Sequence, residues 1–355
     1  MERSSRKKIF LELLGFSLLM IFTFWLILKD QNIEEIFTVI KNADYKFVFI
    51  GIIAMFIYLS LEAVNVGRTL KALGVKSSFI KNLKYTFIGF FFSSITPAAS
   101  GGQPMEIYYM HKDKIPVSHG TLALLIHLTS MQIITITIAL VSLLFNYTFL
   151  TPFLIGFFIL GISLNAAALG LLVIAVFSKK LTQGLINIAV KVMTFFKIKN
   201  IEDKKSKLEA EVKKYQESAV YIKHNKVLML KVLLTTLVQF LIYYSIAYWT
   251  YRALGYNQAH ILKIITMQAV LFATVSGIPS PGAVGVSEGA FIEIFKGVYP
   301  QTMISSATLL QRCINFYAYV LIAGAIVVIN EIRVDFIHEK INKNQNDNDD
   351  IKSIE

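Results

Sequence analysis

Long apolar runs separated by short charged segments dominate the pattern of the chain. Six of these runs reach the roughly 18–20 apolar residues that a helix needs to cross a lipid bilayer. They lie at about 9–28, 47–66, 118–145, 151–177, 229–252 and 303–330. Two further apolar stretches, 83–110 and 262–296, are interrupted near the middle by prolines and glycines. The pattern predicts an all-α polytopic membrane protein with about six full spans and two broken segments.

The composition supports the membrane class. Hydrophobic residues make up 55% of the 355 residues and charged residues only 16%, and the mean hydropathy is +0.59. A soluble fold could not bury this much apolar surface. The single cysteine, Cys313, lies inside an apolar run, so neither a disulfide framework nor a cysteine metal site is predicted. We expect no metal and no cofactor.

The net charge of +12 would suggest nucleic acid in a soluble protein. Here the basic stretches carry few aromatic residues that could stack on bases, so nucleic-acid binding is not expected. The charge instead predicts topology, because cytoplasmic loops are enriched in Lys and Arg. Segment 1–8 has four basic residues against one acid, and 178–228 has twelve lysines against five acids. Both are expected in the cytoplasm, with the protein in the cell (plasma) membrane.

The same rule decides how the two broken segments are interpreted. If 83–110 crossed the membrane once, the lysine-rich stretch 178–228 would lie outside. If it enters and returns, that stretch lies inside, and the same argument applies to 262–296. Both are therefore predicted as re-entrant hairpins, within a transmembrane domain of residues 1–330. The run at 9–28 is too long for a signal peptide, and the polar tail 331–355 is expected to be disordered and cytoplasmic.

The lysine-rich stretch 178–228 contains two apolar stripes at helical spacing. They are Leu181, Leu185, Ile188, Val192 and Phe195, and then Leu208, Val212, Tyr215, Ala219 and Ile222. One interpretation places the first stripe on anionic lipid headgroups as an amphipathic helix. The other has two cytosolic helices packing on each other.

The two broken segments form an internal repeat. In each, a proline is followed nine residues later by a glutamate, with glycines and a serine between: Pro97 to Glu106, and Pro279 to Glu288. Three full spans separate the copies, so the two would be inverted. Inverted broken helices that meet near the midplane are a recurring design of transporter binding sites.

The residue types of the repeat favour an anion site. Proline ends the first half-helix, glycines allow a tight turn, and the second half-helix begins with free N–H groups and a positive dipole end. Pro104 suits the first turn of that helix. Two such ends facing one cavity would bind a lipid phosphate. The candidate substrate-binding or coupling residues are Pro97, Ser100, Gly101, Gly102, Gln103, Glu106, Pro279, Pro281, Gly282, Gly285, Ser287, Glu288, Arg312 and His127.

Several of these residues have two interpretations. Glu106 and Glu288 either complement a helix dipole in its first turn or form a proton or cation site. Arg312 pairs with Glu288, contacts a headgroup, or extends to the nearer interface. His127 is a proton relay or a buried, hydrogen-bonded imidazole, and the second is our expectation.

Some other polar and small residues have a structural expectation. Glu62 and Asn65 are expected at the cytoplasmic interface. Glycines inside the spans are expected at helix contacts; they are Gly15, Gly51, Gly156 and Gly161.

The repeats resemble those of a known family, the flippase-like, lysylphosphatidylglycerol synthase transmembrane-domain family. The resemblance rests on Thr96-Pro97 with Gly101-Gly102, and on Pro279-x-Pro281-Gly282-x-x-Gly285-x-x-Glu288. Ala283 stands where the family usually has a second glycine, a mild departure. In length and span order the resemblance covers about 9–330.

The resemblance implies a membrane domain that moves lipids, including aminoacylated phosphatidylglycerol, between leaflets. In multiple peptide resistance factors this domain is fused to a soluble domain that transfers lysine from charged tRNA to phosphatidylglycerol, and we expect no such domain here. A lipid translocase is therefore the preferred function. One alternative is a phosphatidylglycerol lysyltransferase that confers cationic peptide resistance. Another is a membrane scaffold that recruits a cytosolic lipid-modifying enzyme.

Overall fold

A computed structural model describes residues 34, 38, 41–96, 99–145, 151–177, 201–276, 278 and 285–330. All regular structure in these ranges is helical. The helices are α1 Tyr45–Ala72, α2 Phe79–Ile95, α3 Gly102–Lys112, α4 Val117–Phe145, α5 Pro152–Phe177, α6 Ile201–His224, α7 Lys226–Ala253, α8 Ile261–Val275, α9 Val286–Phe295 and α10, which begins at Ile304.

Five stretches of the described part are long and apolar enough to cross a membrane. They are Tyr45–Ala72, Val117–Leu144, Leu154–Val176, Lys226–Ala253 and Ile304–Asn330. They match five of the six predicted spans. The sixth, 9–28, lies outside the described residues, as do the stripe at 181–195 and the tail 331–355.

Helices α1 and α7 pack antiparallel along their length. At one end the Asp44 N–H donates to Ala253 O at 2.8 Å. In the middle the rings of Tyr58 and Tyr243 lie 4.8 Å apart. Towards the other end the Asn65 side chain donates to Thr236 Oγ1 at 3.0 Å. This pair forms a wall of the core against which the broken segments pack.

The first broken segment forms a helical hairpin of α2 and α3. Its open end is closed by Asp113, directly after α3, which accepts from Lys84 Nζ at 2.9 Å and Tyr85 Oη at 2.5 Å near the start of α2. Partial burial opposes ionisation of Asp113. The hydrogen bonds from Tyr85 and Lys84 outweigh that effect, so the pKa of Asp113 lies below its usual value.

The second broken segment, α8 and α9, forms a comparable hairpin. Tyr256 precedes α8 and Tyr299 follows α9, and their ring centroids lie 5.7 Å apart. Within the hairpin Met267, Phe291 and Phe295 belong to one buried cluster. Each predicted broken segment therefore folds back on itself.

The second apolar stripe of the lysine-rich stretch lies on α6. Tyr215, Ala219 and Ile222 are buried in a cluster with Leu122 and Val176 from the ends of α4 and α5. The stripe thus packs against the spanning helices, a contact that neither sequence interpretation included. Burial raises the pKa of the Tyr215 hydroxyl to about 12, and the hydroxyl donates to a carbonyl of α5.

The predicted glycine contacts are confirmed at two positions and wrong at one. A Cβ built on Gly51 would lie 2.9 Å from Ile314 Cγ2, and one on Gly161 would lie 2.7 Å from Thr274 Cα. A Cβ on Gly156 would meet nothing within 4 Å. Gly156 lies on the side of α5 that faces away from the other helices, whereas Gly161 faces α8. Gly15 lies outside the described residues.

Candidate functional site

The tips of the two hairpins border one interior space. Ser93 and Ala99 of the first tip and Ser276 and Ser287 of the second line a cavity of about 290 Å³. A neighbouring cavity of about 420 Å³ extends from it towards α1 and α4. The residues common to both are Phe90, Ser93, Ala99, Tyr243, Phe272, Ser276, Arg312, Asn315 and Phe316. We call this joined space the central cavity.

The first tip is held by Thr96. Its Oγ1 accepts from the Gly101 N–H at 2.9 Å, and its hydroxyl donates to Phe92 O at 2.6 Å. Gly102 then begins α3 close to α2, because a Cβ at that position would lie 2.8 Å from Gly89 O. Pro104 occupies the first turn of α3, as the sequence predicts. The start of α3 is thereby directed at the central cavity, which Gln103 lines.

Glu106, in the second turn of α3, is 3% exposed and lines the central cavity. In the described part of the protein its Oε2 has no hydrogen-bond partner. The side chain lies over Gly89 of α2, where any Cβ would overlap the carboxylate. Glu106 therefore does not cap its own helix.

Glu288, the equivalent residue of the second copy, accepts hydrogen bonds with both carboxylate oxygens. Its Oε2 accepts from the Gly285 N–H at 2.7 Å and from Ser287 Oγ at 2.9 Å, which caps α9. Its Oε1 accepts from Arg312 Nε at 2.7 Å. Of the alternatives open for Glu288 and Arg312, the structure contains the helix cap and the ion pair.

Arg312 lies where the last span changes its helical geometry. It precedes the π-helical turn Cys313–Tyr317, and its guanidinium lies 4.5 Å from the centroid of the Phe316 ring. Single π turns inside α-helices are frequent at functional sites. Arg312 also lines both parts of the central cavity. The cavity is therefore lined by a guanidinium that contacts the Glu288 carboxylate and the Phe316 ring.

The polar residues of the cavity that were not among the predicted site residues include Gln268, Gln311 and Asn315. Gln311 donates to Gln268 Oε1 at 3.0 Å, and Asn315 Oδ1 is buried without a hydrogen-bond partner among the described residues. All three line the cavity with Arg312. The signal that could have found two of them is the close spacing of Gln311, Arg312 and Asn315 inside an apolar run.

Glu62 and Asn65 both face the interior of the helix bundle. Asn65 is 1% exposed and bonded to α7, and Glu62 lines the central cavity. His127 is also buried, but neither ring nitrogen has a hydrogen-bond partner within the described ranges, so the expected hydrogen bond is absent. Its Nε2 lies 3.8 Å from Glu62 Oε2.

The predicted site residues are thus only partly brought together. Gln103, Glu106, Ser287 and Arg312 line the central cavity. The turns that support the cavity contain Gly101, Gly102, Gly285 and Glu288. Ser100 is exposed at the first tip. His127 lies next to Glu62. Pro97, Pro279, Pro281 and Gly282 lie outside the described residues. Among those described, no three of His, Cys, Asp and Glu are grouped as metal ligands would be.

Residues 10–323 match the family described as the lysylphosphatidylglycerol synthase TM region. The chain belongs to this family. It is similar to a UPF0104 membrane protein of Pyrococcus horikoshii, 25% identical over 333 residues that cover 91% of this chain and 97% of the relative. It is also similar to a UPF0104 membrane protein of Archaeoglobus fulgidus, 25% identical over 320 residues that cover 89% and 96%. Both hairpins and every residue that lines the central cavity fall inside the range matched to the lysylphosphatidylglycerol synthase TM region.

Proposed function

We propose that this protein is an integral membrane lipid translocase that moves a phospholipid, such as aminoacylated phosphatidylglycerol, between the two leaflets. The observation that carries this proposal is the central cavity, which the tips of both hairpins border and the Arg312 guanidinium lines. Its two parts, about 290 and 420 Å³, are of the size that small-molecule sites have, on the order of 300–1,000 Å³.

The lining of the cavity suits a lipid headgroup. Arg312 and the start of α3 attract the phosphate, while Ser93, Ser276 and Ser287 supply hydroxyl groups. Phe90, Phe272 and Phe316 supply apolar walls. The acyl chains would stay in the bilayer while the headgroup passes between the tips.

The translocase acts by alternating exposure of the cavity to the two sides of the membrane. In this mechanism α2–α3 and α8–α9 are re-entrant hairpins of opposite orientation, and both termini are cytoplasmic. Anionic lipid headgroups bind the lysine-rich stretch 178–228. Non-helical backbone is acceptable at membrane depth where it lines a cavity.

The test is reconstitution of the purified protein into proteoliposomes that contain a labelled phospholipid. The double variant Arg312→Gln with Glu288→Gln removes the cationic group without leaving its carboxylate unpaired. Loss of a charge-assisted hydrogen bond worth about 1.5–3 kcal/mol should slow movement at least about tenfold. The control is Arg252→Gln, because Arg252 lies against Phe47 and Tyr248 away from the cavity. Absence of lipid movement by the wild-type protein contradicts the proposal.

A second candidate follows from the description of the family, which names a synthase. Expression in a host that lacks lysylphosphatidylglycerol tests it. Formation of that lipid would favour a phosphatidylglycerol lysyltransferase. If mutation of the cavity has no effect but deletion of 178–228 abolishes function, a scaffold for a cytosolic lipid-modifying enzyme is favoured instead.

A further inference from the structure

The two glutamates of the repeat occupy opposite electrostatic environments. Glu288 has a backbone donor, a hydroxyl donor and a guanidinium. Glu106 is equally deep, 3% exposed against 9% for Glu288, yet its Oε2 lacks a donor among the described residues. A charged carboxylate is stable in the first setting and costly in the second. The repeat therefore contains one carboxylate with three donors and one whose Oε2 has no donor among the described residues.

The groups that face Glu106 do not supply the missing compensation. From α1, Glu62 and Tyr58 line the same cavity, and Tyr243 comes from α7. From α10, Arg312 lines it as well, but its Nε is bonded to Glu288. From α2, Gly89 presents no side chain.

A further ionisable side chain, that of His127, lies next to Glu62. His127 of α4 is buried, and both of its ring nitrogens lack hydrogen-bond partners in the described ranges. Its Nε2 lies 3.8 Å from Glu62 Oε2. Three ionisable side chains from three helices thus stand together on one side of the cavity, and two of them are buried with unpartnered polar atoms.

We propose that Glu106 is an exchangeable proton site, that Glu62 and His127 pass its proton to and from the water of the central cavity, and that lipid movement is coupled to this proton. The coupling rests on the proposed function, whereas the proton site does not. An O–H bond forms on the Glu106 carboxylate with a proton from water on one side, and breaks when the proton leaves to water on the other. Glu288 takes no part in the exchange.

A proton fits this cluster better than a metal ion does. A metal needs several ligands at fixed distances, and within the described residues no three of His, Cys, Asp and Glu are grouped in that way. A proton needs one oxygen. Protonation of Glu106 also removes the repulsion between two carboxylates that line one cavity, Glu62 and Glu106.

The first test needs no transport. Infrared difference spectra of the purified full chain, recorded against pH, should contain the C=O band of a buried carboxylic acid. Glu106→Gln should remove this band, and Glu288→Gln should leave it. Glu62→Gln should shift the pH midpoint of the band, because a like charge has gone from the cavity. Glu293→Gln is the matched control, since the Glu293 side chain is partly exposed and pairs with Lys296.

The second test measures lipid movement in proteoliposomes with and without an imposed pH gradient. Where proton binding limits the rate, the wild-type rate should change by up to about tenfold per pH unit, the slope of one titrating group. Glu106→Gln should flatten that dependence to less than about twofold over the same range. Glu293→Gln should keep the wild-type dependence.

The outcomes separate the two proposals. If lipid moves but no band depends on Glu106, the proton site is refuted and the translocase stands. If the band behaves as expected but no lipid moves, the translocase and the coupling fail and the proton site stands. If Glu106→Gln does not fold, an unchanged band in Glu62→Gln overturns the inference and a shifted midpoint supports it.

Discussion

Gly161 of α5 lies close to α8 near the second hairpin, and this contact predicts the effect of adding a side chain at Gly161. This residue of α5 faces the backbone at the end of α8, where a Cβ would lie 2.7 Å from Thr274 Cα and 2.8 Å from Thr274 O. These are backbone atoms, so no side-chain rotation can relieve the overlap. Gly161→Ala should push the two helices apart and destabilise the protein.

The size of the effect follows from the geometry. Ordinary contact begins at 3.4 Å, and Ala273 O lies closer to the Cβ position than either Thr274 atom, so the helices must separate by about 1 Å. That movement would stretch the bond from Asn165 Nδ2 to Ala273 O, now 3.1 Å, beyond hydrogen-bonding range. Overpacking costs about 1–3 kcal/mol and a lost buried hydrogen bond about 1–3 kcal/mol. Alanine favours the helix over glycine by about 1 kcal/mol, so the free energy of unfolding should fall by about 1–5 kcal/mol in total.

The same helix supplies matched controls for this prediction. A Cβ at Gly156 or Gly170 would meet nothing within 4 Å, so Gly156→Ala and Gly170→Ala should keep or raise the melting temperature. Thermal unfolding of the three purified variants in detergent compares them directly. A Gly161→Ala protein as stable as either control would refute the close packing of α5 against α8.

Three further changes have expected outcomes. Thr96→Val removes the side-chain acceptor for the tip of the first hairpin and should cost about 1 kcal/mol, measured as faster amide exchange at the start of α3. Glu288→Gln alone removes the carboxylate that accepts from Arg312 Nε and should cost about 3–5 kcal/mol, and less destabilisation in the double variant with Arg312→Gln would confirm that the two side chains act as a pair. Because the pKa of Asp113 is lowered on folding, its contribution is present above its unfolded pKa of about 3.9 and is lost as pH falls through the folded value. Asp113→Asn should therefore lower the melting temperature at neutral pH and converge with wild type in acid, and an equal difference at both pH values would contradict this.

Much of the architecture could be predicted because a bilayer imposes length and polarity on each segment. Five predicted spans correspond to apolar helices of spanning length, and the two predicted broken segments correspond to the helix pairs α2–α3 and α8–α9. What the residue pattern could not give was the partner of each polar side chain. Glu106 and Glu288 occupy equivalent positions in the repeat, yet only Glu288 caps its helix. Helix α9 begins at Val286, so Glu288 lies in its first turn, whereas α3 begins at Gly102 and Glu106 lies beyond the first turn. The ion pair of Glu288 comes from Arg312, which is distant in sequence.

The sequence by itself determined the membrane class, the broken segments and their residue types, because local hydrophobicity and backbone preference act over short distances. Tertiary structure alone decided that the two tips share one cavity, that Glu62 lines it, and that His127 lies beside Glu62. These features depend on which helix faces which. That choice follows from packing across the whole bundle, where a glycine such as Gly161 or a hydrogen bond such as that of Asn65 fixes the approach of two helices.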